Sequence, residues 1–106
     1  QAYLCNGMLF SSGQIAIDPK TNEFIGGDIK EQTERIMKNL EAVLKEAGFS
    51  FEDVIKTTCF LKDMNDFAAF NEIYGKYFTS KPARSCVAAA QLPKGALAEV
   101  EIIASK

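Results

Sequence analysis

The 106-residue sequence contains no histidine. Histidine is the usual acid or base near neutral pH, the commonest metal ligand, and the partner that activates the nucleophile in serine and cysteine hydrolases. Its absence excludes Ser-His-Asp and Cys-His catalysis. Any chemistry must therefore come from carboxylates, arginine, cysteine, hydroxyl groups or the backbone.

Cysteine is also scarce. Cys5, Cys59 and Cys86 are odd in number and widely spaced, and no CxxC motif is present. This pattern does not favour a disulfide framework, and together with the lack of histidine it does not favour a metal site. We therefore expect a cytoplasmic protein with no bound metal.

Neither sign of charge dominates, and no basic block occurs. The chain has 12 lysines and arginines against 14 acidic residues, a formal net charge of −2. A nucleic-acid binder needs a clustered basic face, so nucleic acid is not an expected partner. No apolar run approaches the length of a membrane span and no signal peptide is visible, which favours a single domain over residues 1–106 with no membrane contact.

Two helices are predicted from apolar residues at helical spacing. Asp28 and Glu31 form the pattern of a capping box, which opens a helix over residues 29–47 that Gly48 ends. The second helix is predicted over residues 66–78, with an aromatic stripe on one face.

Strands account for the rest of the pattern. Residues 2–17 alternate and are broken by the hairpin signal Asn6-Gly7, and DPKTNE follows as a turn. Residues 53–62 alternate with Ile55, Thr57, Cys59 and Leu61 on one face. ARSCVAAAQ and ALAEVEIIA are two further strands, joined by an LPKG turn. The order ββαβαββ predicts an α+β fold, a mainly antiparallel sheet with two helices on one face.

The opposite face of that sheet has no cover within the chain. It is predicted to carry Leu97, Glu99, Glu101 and Ile103 from the last strand, and Cys86, Ala88 and Ala90 from the strand before it. A half-apolar face is best buried against another copy of the same chain, so an oligomer is expected.

Arg84 and Cys86 stand at the head of a small apolar run in SKPARSCVAAAQLPKG, residues 80–95. One interpretation of Arg84 is a solvated strand end or surface ion pair, which contributes about 0–1 kcal/mol. The other pairs Arg84 with Glu99, because a guanidinium binds a carboxylate substrate through two parallel bonds and a carboxylate can orient or deprotonate a water. Glu101 shares the Glu99 face, and spacing alone does not choose between these acids.

If the last two strands form a hairpin through LPKG, Ala88 lies opposite Glu99 and Arg84 lies opposite Ile103. Arg84 and Glu99 of one chain are then roughly 13 Å apart along the sheet, too far for an ion pair. We therefore expect Arg84 of one subunit to face Glu99 of its neighbour.

Three segments resemble the RidA/YjgF family: SSGQIAIDPKT, VIKTTCFLKDMNDFAAFNEIY and PARSCVAAAQLPKGALAEVEIIA. The resemblance covers essentially the whole chain and implies a chorismate-mutase-like fold that forms a homotrimer with clefts between subunits. It also implies a cofactor-independent hydrolase. Members deaminate reactive enamines and imines from pyridoxal-phosphate enzymes, such as 2-aminoacrylate and 2-iminobutanoate, to 2-keto acids and ammonia. The family pattern further implies a short segment before Gln1 that carries a site tyrosine, to which Tyr3 is not equivalent.

The resemblance assigns roles to individual residues of this sequence. Arg84 matches the arginine that clamps the substrate carboxylate, and Glu99 matches the acid that positions the attacking water. Asn71, the pair Ser12 and Gly13, and the backbone carbonyl of Cys86 match the other substrate contacts.

Each of these residues also has a structural interpretation. Cys86 is better read as a small core residue than as a nucleophile, because no histidine or lysine is placed to lower its pKa. Asn71 could cap a turn, although asparagine is disfavoured inside a helix. Ser12 and Gly13 could form a strand bulge.

The alternative function is that of a ribonuclease-type translation inhibitor or a chaperone-like protein, activities linked to the broad family. The net charge of −2 disfavours a nuclease. A trimer would bury the apolar face that a chaperone needs to expose.

Overall fold

The computed structural model describes residues 2–106 and contains one five-stranded sheet with two helices on one of its faces. The regular elements are β1 (Ala2–Cys5), β2 (Met8–Ser11), α1 (Ile29–Glu46), β3 (Val54–Leu61), α2 (Phe67–Tyr77), β4 (Ala83–Ala88) and β5 (Ala98–Ser105). Short 3-10 turns precede β3, α2 and β5, at Phe51–Asp53, Met64–Asp66 and Pro93–Gly95. The predicted ββαβαββ order and α+β class are confirmed. Within residues 2–106, no helix is long and apolar enough to cross a membrane.

The N-terminal hairpin turns at Asn6 and Gly7, as predicted. Both residues have positive φ, 51° and 78°, which is the backbone of the tight turn that matches the twist of paired strands. Regular pairing ends at Ser11. The predicted alternation over residues 2–17 is therefore two short strands followed by an extended loop.

Helix α1 begins and ends where the sequence indicates, to within one residue. The Asp28 side chain accepts a hydrogen bond from the Glu31 backbone N–H, and the Glu31 side chain accepts one from the Asp28 N–H. The helix ends at Glu46, and Gly48 follows with φ +82°. Its buried face is formed by Gln32, Thr33, Ile36, Met37, Leu40 and Leu44.

Helix α2 is shorter than predicted, Phe67–Tyr77 rather than 66–78. The Asp63 side chain accepts from the Asn65 N–H and starts a separate 3-10 turn, which delays the helix. The aromatic stripe is confirmed, since Phe70, Ile73, Tyr74 and Phe78 are buried.

The sheet order is β1-β2-β5-β3-β4, and this corrects the predicted hairpin between the last two strands. Strand β4 pairs with β3 in parallel, and β5 lies between β2 and β3 in antiparallel pairs. The reason is that β3, α2 and β4 form a crossover unit, in which a helix returns the chain to the same sheet edge. The pairings of Ala88 with Glu99 and of Arg84 with Ile103 were therefore wrong.

A β-bulge near the start of β3 corrects one further residue. The register shifts between Val54 and Lys56, so Ile55 is 48% exposed instead of sharing the buried face. Thr57, Cys59 and Leu61 are buried as predicted.

The face of the sheet that carries no helix is half-apolar and partly exposed, as predicted from β5. Register places Ile103 beside Phe10 and Phe10 beside Tyr3, and it places Glu99 beside Phe60 and Phe60 beside Val87. Tyr3, Phe10 and Val87 are 70%, 40% and 51% exposed. We call this the open face. Burial of this face in a homotrimer stays a prediction.

Three residues assigned to the open face lie elsewhere. Cys86 and Ala88 pair with Cys59 and Leu61, which are fully buried under the helices, so both lie on the helix-covered side. Neighbouring residues on adjacent strands share a face, and the wrong hairpin register had placed them on the other one. Ala90 follows the end of β4.

Candidate active site in two halves

Arg84 lies on β4 and points to the helix-covered side of the sheet, beside Thr57 of β3. Its guanidinium carbon lies 4.5 Å from the centre of the Tyr74 ring and 5.3 Å from that of Phe67. Nη1 donates a hydrogen bond of 2.6 Å to Oδ1 of Asn71. The stacking and this bond hold the guanidinium in one orientation, with other N–H groups left free.

The surface ion-pair interpretation of Arg84 finds no support. Among residues 2–106 the one ion pair joins Lys30 and Glu72. Arg84 is half-buried and has no carboxylate partner in the described chain. A half-buried cation without an acidic partner is suited to binding a carboxylate ligand. Arg84, Asn71 and Tyr74 line a groove of about 720 Å³.

Cys86 lies two residues further along β4 and packs against the core. Burial raises the pKa of its thiol, although the Arg84 charge opposes that rise. A protonated thiol is a poor nucleophile, so the environment favours a packing role for the side chain. Ala89 N donates to Leu61 O, so the backbone groups of Ala89 point toward β3. The direction of the backbone groups alternates from residue to residue along a strand. The N–H and C=O of Cys86, three residues earlier, therefore point away from β3 to the outer edge of the sheet.

Glu99 lies on β5 and points to the open face, close against Gly13. A Cβ atom placed on Gly13 would lie 1.9 Å from Oε2 of Glu99, so no larger residue fits without moving the carboxylate. Gln14 and Val100 exchange two backbone hydrogen bonds of 2.8 and 3.0 Å, which hold this loop against β5. Partial burial raises the pKa of Glu99, and the nearby Glu101 carboxylate raises it further.

Ser12 and Gly13 are both exposed and line a second groove, of about 930 Å³. The register agrees with the bulge interpretation, because Phe10 pairs with Ile103 and Gln14 with Val100, which leaves one more residue on the side of Ser12 and Gly13 than on β5. The structure places Gly13, the chain neighbour of Ser12, against Glu99, although Glu99 does not line the second groove. It separately brings together Arg84, Asn71 and Cys86. We call these the Glu99 half-site and the Arg84 half-site.

The two half-sites point to opposite sides of the sheet. Arg84 is the register partner of Thr57 on β3. Glu99 is the register partner of Phe60, which lies three residues further along β3 and points to the other face. With two strand spacings between β4 and β5, their Cα atoms are roughly 14 Å apart. An ion pair within one chain is excluded, as expected, although the register behind that expectation was wrong.

A family model described as endoribonuclease L-PSP matches residues 1–106. A RutC family protein of Pyrococcus horikoshii is 54% identical over 107 residues, which cover 100% of this chain and 85% of the relative. Two solved structures are similar over 100% of this chain and 86% of their own. RidA from an Antarctic Psychrobacter species is 37% identical with a TM-score of 0.94. E. coli TdcF with bound serine is 41% identical with a TM-score of 0.93.

The chain belongs to the RidA/YjgF family. The fold class implied by the sequence resemblance is confirmed by these similarities. Within residues 2–106 of this RidA/YjgF chain, no group of three or more histidine, cysteine, aspartate or glutamate side chains is placed to hold a metal ion.

Sequence reasoning missed three residues of this RidA/YjgF site. Tyr74 and Phe67 were predicted only as part of the apolar stripe of α2, yet their rings flank the Arg84 guanidinium. The Tyr74 hydroxyl also shares a 2.8 Å hydrogen bond with Thr57, which fixes the ring. Gln14 was not singled out, although its backbone joins the loop to β5. Helical spacing alone could not show that one end of the stripe meets β4.

Proposed function

We propose that this chain is a cofactor-independent hydrolase that converts 2-imino acids and their enamine tautomers to 2-keto acids and ammonia. The observation that carries the proposal is the pair of half-sites, an oriented arginine without an acidic partner and a carboxylate with a raised pKa. The serine bound to E. coli TdcF supports it, because serine carries an α-carboxylate and an α-nitrogen as the substrate does.

We propose further that each site is shared between two subunits of a homotrimer. Arg84 and Glu99 of one chain face opposite sides of the sheet, so they can act on one small molecule only across an interface. The half-apolar, partly exposed open face, which carries Glu99, supplies a surface for that interface.

In the proposed reaction, two free N–H groups of Arg84 bind the substrate carboxylate, and the Asn71 amide supports the guanidinium. The neighbour's Glu99 accepts a proton from a water as its oxygen bonds to the iminium carbon. Glu99 returns that proton to the nitrogen of the resulting carbinolamine. The hydroxyl oxygen then forms the carbonyl as the C–N bond breaks, its proton passes to Glu99, and ammonia and a keto acid leave. A carboxylate with a raised pKa suits both steps, since it is a stronger base than an ordinary glutamate and returns the proton nearer neutral pH.

We infer a reducing compartment such as the cytoplasm, because Cys5, Cys59 and Cys86 are all free thiols.

The test is a coupled assay in which a threonine dehydratase releases imine from L-threonine or L-serine. Adding this protein should speed the appearance of keto acid and ammonia, Glu99→Gln should slow turnover while a 2-keto acid still binds, and EDTA should have no effect. Wild-type protein that leaves the rate unchanged would refute the proposed activity. If the protein cleaved RNA instead, its activity would be that of an endoribonuclease, as the description of the family model reads. The net charge of −2 disfavours binding to RNA.

The shared site has its own test. Arg84→Ala and Glu99→Gln chains, each inactive alone, are mixed and allowed to exchange subunits. Every mixed trimer contains one interface with both residues intact, so equal mixing should restore roughly a quarter of the sites. No recovery after verified exchange would place both residues of each site in one chain.

A further inference from the structure

The loop between β2 and the turn at residues 18–23 forms one wall around Glu99 but has almost no regular structure. Its backbone is joined to the sheet by one isolated bridge, from Gln14 to Val100 of β5, while a second bridge, from Ile17 to Phe24, closes the turn within the loop itself. Gly13 is in contact with the Glu99 carboxylate. The position of that carboxylate therefore depends on what fixes this loop.

Asn39 of α1 supplies a further connection. Its Nδ2 donates hydrogen bonds to the carbonyl oxygens of Ile17, at 2.9 Å, and Ile15, at 3.4 Å. These are bonds between a helix side chain and a backbone segment more than 20 residues earlier in the chain. The Ile15 carbonyl already accepts the Ile17 N–H at 2.8 Å, so the bond that matters most is the one to the Ile17 carbonyl, for which Asn39 is the hydrogen-bond donor within residues 2–106.

Asparagine is a costly choice at this position. It is a poor residue for a helix interior, and its Oδ1 is buried and accepts no hydrogen bond from residues 2–106. A buried acceptor without a donor costs about 1–3 kcal/mol. A leucine or methionine would avoid both costs but offers no hydrogen-bond donor. The feature of asparagine that matters at position 39 is therefore its Nδ2 donor.

We propose that Asn39 is a positioning residue for the reaction, because it holds the loop at residues 12–17 and thereby keeps Gly13 against the Glu99 carboxylate. The proposal rests on the proposed function for its catalytic meaning. Asn39 itself touches neither substrate nor Glu99, and it acts through Ile15, Ile17 and Gln14.

Thr33 provides a matched control on the same helix. It is fully buried, and its hydroxyl donates only to the Ile29 carbonyl within α1, at 2.7 Å. Thr33→Ala should therefore lower stability without moving the loop. Asn39→Ala and Asn39→Asp both remove the donor, while the aspartate keeps the size of the side chain.

The experiment measures kcat, KM and the pH dependence of kcat for these variants in the coupled assay. Both Asn39 variants should lose about ten- to hundredfold in kcat with KM changed less than about threefold, because the Arg84 half-site binds the carboxylate on the other side. The acid limb of kcat should move to lower pH. Glu99 is flanked by Gly13, Phe60 and the one nearby charge, Glu101, so a loosened loop admits water and lowers its pKa. Thr33→Ala should show none of these changes.

Two readouts separate this inference from the proposed function. If the wild-type protein has no turnover, the proposed function fails, and the positioning role is then tested by amide hydrogen exchange at Gln14 and Val100 and by NMR titration of Glu99. Faster exchange and a lower Glu99 pKa in the Asn39 variants, but not in Thr33→Ala, would support the inference. The opposite result is that the Asn39 variants lose only thermal stability, while their kcat, the acid limb of their pH profile and their amide exchange rates match those of Thr33→Ala. Asn39 would then be a structural residue, and the inference would be wrong.

Discussion

The contact between Gly13 and Glu99 yields the sharpest prediction, the effect of Gly13→Ala. The added methyl carbon would lie 1.9 Å from Oε2 and 2.8 Å from Cδ of Glu99. Gly13 is not among the positive-φ residues, so alanine fits the backbone there. The only required adjustment is a movement of the Glu99 side chain.

The size of that movement follows from the same distances. Oε2 must retreat from 1.9 Å to at least 3.0 Å, a displacement of roughly 1 Å. A misplacement of this size costs about 100-fold in rate when orientation limits the reaction. Moving the flexible end of the glutamate side chain costs about 0.5–1.5 kcal/mol. Alanine restricts the unfolded chain more than glycine does, which recovers about 0.4–1 kcal/mol. The free energy of unfolding should therefore change by less than about 1 kcal/mol.

The assay compares kcat, the affinity for a 2-keto acid, and urea unfolding for wild type and Gly13→Ala. We expect a large loss of kcat, unchanged affinity and nearly unchanged stability. Gly75→Ala is the control for urea unfolding, because its added methyl meets nothing within 4 Å and alanine favours α2 by about 0.5–1 kcal/mol; it is not compared for kcat or affinity, since Gly75 lines the Arg84 groove. A Gly13→Ala protein with wild-type kcat would show that the carboxylate position in this structure is not the one that orients the water.

Four further outcomes are expected. Arg84→Lys should reduce activity nearly as far as Arg84→Ala, since an ammonium offers no bidentate fork and no planar group to stack on Tyr74; a lysine variant with substantial activity would contradict the clamp. Val87→Glu, on the open face, should convert a trimer to monomers by light scattering, whereas Ala88→Glu, on the helix-covered side, should not. Cys86→Ser should keep most activity, and complete loss would make the thiol a participant. Asp28→Ala should cost about 1 kcal/mol in urea unfolding through loss of the capping box, and an unchanged midpoint would show that the cap is dispensable.

The parts of the fold that depend on near neighbours in sequence could be predicted. The Asn6-Gly7 turn, the Asp28 cap and the end of α1 at Gly48 are decided within a few residues, by backbone freedom and side-chain capping. The alternation of β5 likewise revealed the open face, since period two in a strand fixes two faces whatever the partners are.

The pairing of β4 could not be read in the same way. Adjacent strands along a chain often form hairpins, and nothing local in ARSCVA distinguishes a partner on β3 from one on β5. The parallel crossover through α2 decides it, and that is a property of the whole sheet. The roles of Arg84 and Glu99 came from the family resemblance, whereas the contact of Gly13 with Glu99 required the structure because 86 residues separate them.

Strand β5 lies in the middle of the sheet, yet it follows every other regular element in the chain. Until it inserts, β2 has no partner beyond β1, and β3 and β4 form a separate parallel pair that exposes Cys59 and Leu61 on one side. The bonds that close the structure span large loops, with Ser11 reaching the Ile102 N–H and Gln14 reaching Val100. Loop closure of this length slows folding, so we expect a single slow, cooperative step in which the core and the Glu99 half-site form together during or after completion of the chain.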